Sequence, residues 1–233
     1  MESVMDVEVS SCRHSRFLRP LRAHYTQNGI RKEWDFVKTH DSVSVLIYHA
    51  GRETFVLVKQ FRPAVYMCEC ARQGLLPPID TMTSDADPQS RVAVQTLPAS
   101  LGVTYELCAG IVDKPGLSLE QVAVEEVQEE CGYRVALDSL QKISSYRSGV
   151  GLTGSKHTMF YTEVTDALHV GADGGKAEEG ELIEVVHVPV RDWQTFVLDD
   201  RIPKAVGVHL AFLWFQSNIA PRLHAAQCLS PAS

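Results

Sequence analysis

At 233 residues, with 45% hydrophobic and 22% charged side chains, the chain can bury a core of its own, as one elaborated domain or two small ones. A net charge of −7 and a pI near 5.7 argue against a general nucleic-acid or acidic-membrane binder, both of which reward a basic face, so neither nucleic acid nor membrane is expected as a partner. The amino terminus has no apolar leader core, and the densest apolar run, 205–215, is too short to cross a bilayer and contains His209, so a cytoplasmic location is expected. Cysteines at 12, 68, 70, 108, 131 and 228 form no C-x-x-C pair and suit reduced thiols. Cys68 and Cys70, flanking Glu69, make a weak metal candidate.

The first half reads mainly as strands. Segments 35–37, 43–48 and 55–60 are rich in β-branched and aromatic residues, and Ala50, Gly51, Arg52 and Glu53 supply a hairpin turn between the last two. Residues 74–100 bring Pro77, Pro78, Pro88 and Pro98 among Asp, Ser and Thr, which predicts a long, mobile surface insertion. Order returns with a strand over 103–108. Ser118 with Gln121 then forms a capping box, Leu119, Val122, Ala123 and Val127 make an inward stripe, and Gly132 sits where a left-handed C-cap belongs. Strands are expected at 142–146, 157–164 and 183–189, and a closing helix at 204–217 packed by Phe212, Trp214 and Phe215. There is no internal repeat.

That central helix carries EEVQEECGY at 125–133, four carboxylates within six positions. Glu125 with Glu129, Glu126 with Glu130 and Glu126 with Glu129 are like-charge neighbours, each costing about 0.2 to 0.5 kcal/mol. They also lie toward the negative end of the helix dipole, which disfavours anions by about 0.3 to 1 kcal/mol apiece. Acidic runs are usually solvated faces. A hard divalent cation held by oxygens at i, i+3 and i+4 would instead turn repulsion into coordination, and Mg2+ so held commonly joins phosphate oxygens.

Ala109 and Gly110, followed by EVQEECGY at 126–133, resemble the Nudix box: a glycine, a loop, then Arg-Glu-apolar-x-Glu-Glu-x-Gly-apolar on a helix. VKQFRPAVY at 58–66, ELCAG at 106–110, YRSGVGLTGS at 146–155 and EEGELI at 178–183 extend the likeness to the nucleoside diphosphate sugar branch, over most of 17–217. Two positions depart from the pattern, Leu117 where the family has a glutamate and Glu125 where it has an arginine, and one extra residue separates Gly110 from the helix. In the family those two positions commonly pair. Their joint replacement implies the loss of that salt bridge and an altered metal affinity, unless Lys156 or Arg147 substitutes.

The resemblance implies an α/β Nudix fold, a mixed sheet between helices, with a small N-terminal β region (1–38) contributing to a homodimer, a hydrolase domain over 39–206, and a C-terminal helix and tail over 207–233. It implies hydrolysis of the pyrophosphate bond of a nucleoside diphosphate sugar, UDP-glucose ahead of ADP-ribose. Mg2+, with Mn2+ as a substitute, would be held by Glu126, Glu129, Glu130, the Ala109 carbonyl and Glu181. Glu130 and Glu179 would be catalytic, Glu179 as the general base on an acidic loop. Arg62 and Gly110 would face substrate, the arginine through its planar fork, although a strand-end arginine in a surface pair is an equal reading. Trp34 or Tyr25 could stack on the base, but core packing is the commoner fate of either. The glycine-rich loop at 149–154 is either a substrate-facing loop or a plain turn. A Nudix-shaped binding module without turnover is the reading that Leu117 and Glu125 would favour.

Overall fold

The computed structural model of the chain describes residues 3–10, 12, 15, 18–77, 91–175 and 182–229. In chain order these form β1 (Glu8–Val9), β2 (Arg19–Gln27), β3 (Ile30–Lys38), β4 (Ser42–His49), β5 (Thr54–Phe61), α1 (Pro63–Arg72), β6 (Val92–Ala93), β7 (Val103–Glu106), β8 (Cys108–Ile111), α2 (Leu119–Cys131), β9 (Gly132–Tyr133), β10 (Gln141–Ser148), β11 (Ser155–Val164), β12 (His169–Asp173), β13 (Ile183–Pro189), α3 (Trp193–Leu198), α4 (Val206–Asn218) and α5 (Ala220–Leu229).

The central sheet has seven strands and is mixed: β10, β11, β4, β5 and β13 run side by side, β11 and β4 in parallel. Its central strands β4 and β5 are buried on both faces, and the period of two divides their side chains between two cores. Val43, Val45, Ile47, Val56 and Val58 meet Val122, Ala123 and Val127 of α2. Leu46, Tyr48, Phe55 and Leu57 meet Phe212 and Phe215 of α4, with the Phe55 and Phe212 rings stacked at 4.0 Å. The expected mixed sheet between helices is therefore what the chain forms.

The β4–β5 hairpin is closed only near its turn, where Ile47, Tyr48 and His49 pair with Val56, Phe55 and Thr54. Beyond that point the two strands diverge. β8 pairs with the Ser42 end of β4, and β7 with the Phe61 end of β5. The expected single strand over 103–108 is thus two strands broken at Leu107, an arch whose buried tip fills the fork of the hairpin. Alternation of Val103, Tyr105 and Leu107 with Thr104 and Glu106 hides such a reversal.

Other differences are local. α1, which no sequence reading anticipated, starts with Pro63 at its first turn, where the missing N–H costs nothing, and buries Tyr66 and Cys70 one turn apart. Of the expected insertion, 78–90 lies outside the described residues. Val92 and Ala93 pair with Val9 and Glu8, and Val94 is buried against Tyr66, so this part of the chain caps α1. The closing helix begins at Val206 rather than 204, because Lys204 forms a bridge with Tyr105. β2 and β3 form a separate hairpin in which Trp34 is 55% and Tyr25 40% exposed, so neither packs in a core.

Candidate active site

The sequence closes α2 at both ends as expected. Ser118 Oγ accepts from the Gln121 amide at 3.1 Å, and Gln121 Oε1 accepts from the Ser118 amide at 2.7 Å. Gly132, at φ 72°, donates to the Gln128 and Val127 carbonyls. With Val122, Ala123, Val127 and Cys131 buried against the sheet, the rotation of the helix about its axis is fixed, and that rotation aims its carboxylates.

Glu126 and Glu130 are brought onto the descending arm of the arch. Glu130 is 5% exposed, and its Oε2 accepts from the Ala109 amide at 2.9 Å. A charge-assisted bond of this kind suits a buried carboxylate. N–H and C=O of one extended residue share a strand edge, so the Ala109 carbonyl opens on the same side. Glu126 lies directly over Gly110: a Cβ there would stand 2.0 Å from Glu126 Oε1. Glycine is required at 110 for close approach of a side chain. Glu129, partly buried, sits on the same helix beside them.

The carboxyl end of α2 is completed by the two glycines that follow β12. The Gly174 amide donates to the Glu130 carbonyl at 3.1 Å and the Gly175 amide to the Glu129 carbonyl at 3.2 Å, while the Ile183 amide donates to the Gly174 carbonyl at 3.2 Å. The chain thus leaves for residues 176–181 from the acidic end of the helix and returns beside it. Glu178, Glu179 and Glu181 themselves lie outside the described residues.

Arg62 follows β5 at the open end of the fork. Its Nε and Nη2 donate to the two carboxylate oxygens of Glu106 at 2.8 and 2.7 Å, and its side chain stays 45% exposed. The fork of this arginine is therefore partly engaged within the protein. Glu106 was not singled out from the sequence, and nothing in its spacing marks it.

The departure at Glu125 has an answer that sequence reading missed. Lys114 Nζ lies 2.6 Å from Glu125 Oε2, so the basic partner comes from the loop before α2. Arg147 instead donates to the Gly154 carbonyl at 3.2 Å. Leu117 packs at the edge of the α2 core in place of a charged side chain. The loop at 149–154 is a tight turn in which the Gly149 carbonyl accepts from the amides of Leu152, Thr153 and Gly154. It holds the β2–β3 hairpin: the Leu152 carbonyl accepts from the Val37 amide at 2.8 Å, and the Gly151 carbonyl from Trp34 Nε1 at 3.1 Å.

Among the described residues, no three His, Cys, Asp or Glu side chains are grouped so as to hold a metal ion by themselves. The donors beside Gly110 do suit a hard divalent cation: they are all oxygens, two carboxylates held at i and i+4 next to a backbone carbonyl, with no nitrogen or sulfur. Cys108 and Cys131, flanking Ala109 and Glu130 in sequence, are buried free thiols, and burial pushes Cys108 well up, which keeps it protonated. Cys68 is exposed and Cys70 buried on α1, so the two do not act as a ligand pair.

No family model matches the chain. It is 54% identical over 223 residues, 96% of its own length and 99% of the relative's, to the uridine diphosphate glucose pyrophosphatase NUDT14 of Bos taurus. The Mus musculus protein of the same name is 52% identical over the same share of each chain. The GDP-mannose pyrophosphatase of Cronobacter sakazakii is 26% identical over 163 residues, 69% of this chain and 65% of that one. With that likeness spanning nearly its whole length and an acidic helix seated on an Ala-Gly strand, the chain belongs to the Nudix hydrolases.

Proposed function

We propose that the chain hydrolyses the pyrophosphate bond of a nucleoside diphosphate sugar, with UDP-glucose giving UMP and glucose 1-phosphate, in a reaction that needs Mg2+ or Mn2+. The observation that carries this reading is the seating of Glu126 and Glu130 against Gly110 and Ala109, in a chain 54% identical to a UDP-glucose pyrophosphatase. Glu126, Glu129, Glu130 and the Ala109 carbonyl would hold the cation, with Glu181 joining from the acidic segment. When bound, a divalent cation supplies Lewis-acid polarisation of the diphosphate and acidifies the attacking water. Glu130, held by the Ala109 amide, keeps the helix and the Ala109 carbonyl in one fixed relation. Arg62, exposed at the fork and braced by Glu106, suits anionic phosphate oxygens. Glu179 would take the proton of the water. Support for its place is the chain path, since Gly174, Gly175 and Ile183 tie both ends of 176–181 to the end of α2.

Free cysteines among the described residues support a reducing, cytoplasmic compartment, and no helix among those residues is long and apolar enough to cross a membrane. A homodimer built on the β2–β3 hairpin is supported by its exposed Leu21, Tyr25, Ile30 and Trp34, an apolar surface on an element too small to be stable alone. A monomeric mass by light scattering overturns it.

The test of the reaction is product analysis with UDP-glucose, ADP-ribose and GDP-mannose, each with and without Mg2+. UMP and glucose 1-phosphate should form only with the metal, and Glu130→Gln, which keeps an oxygen for the Ala109 amide, should lower turnover by about 100-fold or more while remaining folded. Nucleotide-sugar binding without metal-dependent cleavage would make the chain a binding module instead.

A further inference from the structure

The loop between β8 and α2 is tied at three places. At its start the Val112 amide donates to the Asp41 carbonyl at 2.8 Å, and at its end Ser118 caps the helix. Between them Gly116, at φ 89°, turns the chain. In that stretch Lys114 reaches the flank of α2 and holds Glu125, the residue next to Glu126 and one turn before Glu129.

We infer that Lys114 is a positioning residue: through Glu125 it clamps the loop to α2 and so keeps the Ala109 and Gly110 strand seated under Glu126 and Glu130. The inference rests on the metal-site reading above. The pair is 47% and 39% exposed, a setting in which an ion pair adds little to global stability. Its effect is therefore sought in geometry. Loop 112–118 is the covalent link between the strand that offers the Ala109 carbonyl and the helix that offers the carboxylates. A clamp at its middle restricts how far these two halves of the donor set can shift against each other. The same pair also neutralises one of the four crowded carboxylates.

Two roles separate cleanly by charge. Lys114→Ala removes a positive charge and Glu125→Gln a negative one, so a purely long-range electrostatic role would move Mn2+ affinity in opposite directions. A clamp is lost in both. We expect both variants to weaken Mn2+ binding to the substrate-free protein, read by calorimetry, by about two- to fivefold, the range of an exposed ion pair. Lys114→Arg should retain wild-type binding, and the combined Lys114→Glu and Glu125→Lys chain should recover most of it. Thermal midpoints near wild type would show that all four proteins are folded. Shifts of opposite sign, unchanged affinity in the single variants, or failure of the charge-swapped chain to recover overturn the inference while leaving the metal site standing. A wild-type protein that takes up no Mn2+ overturns the metal reading and this inference together.

Discussion

A methyl group at residue 110 is the smallest change that reaches the acidic face. An alanine Cβ there would stand 2.0 Å from Oε1, 2.2 Å from Cδ and 2.5 Å from Cγ of Glu126, all inside van der Waals contact. The colliding atoms are the far end of a flexible side chain, so Glu126 can swing away at little cost in packing. Gly110→Ala should therefore keep its thermal midpoint near wild type yet lose cation affinity and turnover by about 10- to 100-fold, the usual effect of displacing support from a metal site. A destabilised but fully active variant would show that Glu126 has no need of its present place. The clustering of the glutamates was legible because i, i+3 and i+4 positions on one helix are neighbours whatever the rest of the fold does, whereas Gly110 was marked only by the likeness to the Nudix box. Lys114 was not legible, since a loop lysine meeting a helix across eleven residues leaves no pattern, and Arg147 and Lys156 looked equally available.

Among the elements, α2 was the most completely written in the sequence. Its reciprocal cap, contributing about 1 kcal/mol, its buried stripe and its left-handed stop act within a few residues of one another, so local chemistry decides them. The buried strands β4, β5, β11 and β13 were equally clear from their β-branched runs. What failed were elements whose identity depends on distant partners. β7 and β8 read as one strand, because Leu107 continues the alternation of Val103 and Tyr105; only the opening of the β4–β5 hairpin makes the chain reverse there. α1 was hidden by Arg62 and Pro63, which look like a strand end and a turn, and its stability comes from Val94, Leu97 and the Val4 to Val9 arm packing on Tyr66 and Cys70. Trp34 and Tyr25 were misjudged for the converse reason, since aromatic residues on a strand predict a core only when a second layer covers that strand.

At the scale of the whole molecule, the sheet that carries the site is pinned across its long-range pairings by two neutral histidines. His157 on β11 meets Ser42 Oγ of β4 through Nδ1 at 2.7 Å and Ser44 Oγ through Nε2 at 2.8 Å. His187 on β13 meets Thr54 Oγ1 of β5 through Nδ1 at 2.9 Å. Burial lowers the pKa of both, and for His187 the neighbouring Arg52 lowers it further. A histidine held below its ordinary value of about 6.5 binds fewer protons folded than unfolded as pH falls through that value. Stability from these two groups is therefore complete above about pH 6.5 and declines as pH drops from there through their folded pKa values. His157 accepts from one serine hydroxyl on its unprotonated ring nitrogen, so protonation makes that hydroxyl turn and accept instead. The thermal midpoint should be nearly level between pH 7 and 8 and fall progressively toward pH 5. His157→Gln, which can still bond both serines without titrating, should have a shallower fall than wild type. A midpoint that stays level to pH 5, or a variant with an unchanged slope, would mean that these histidines are not what couples the sheet to protons.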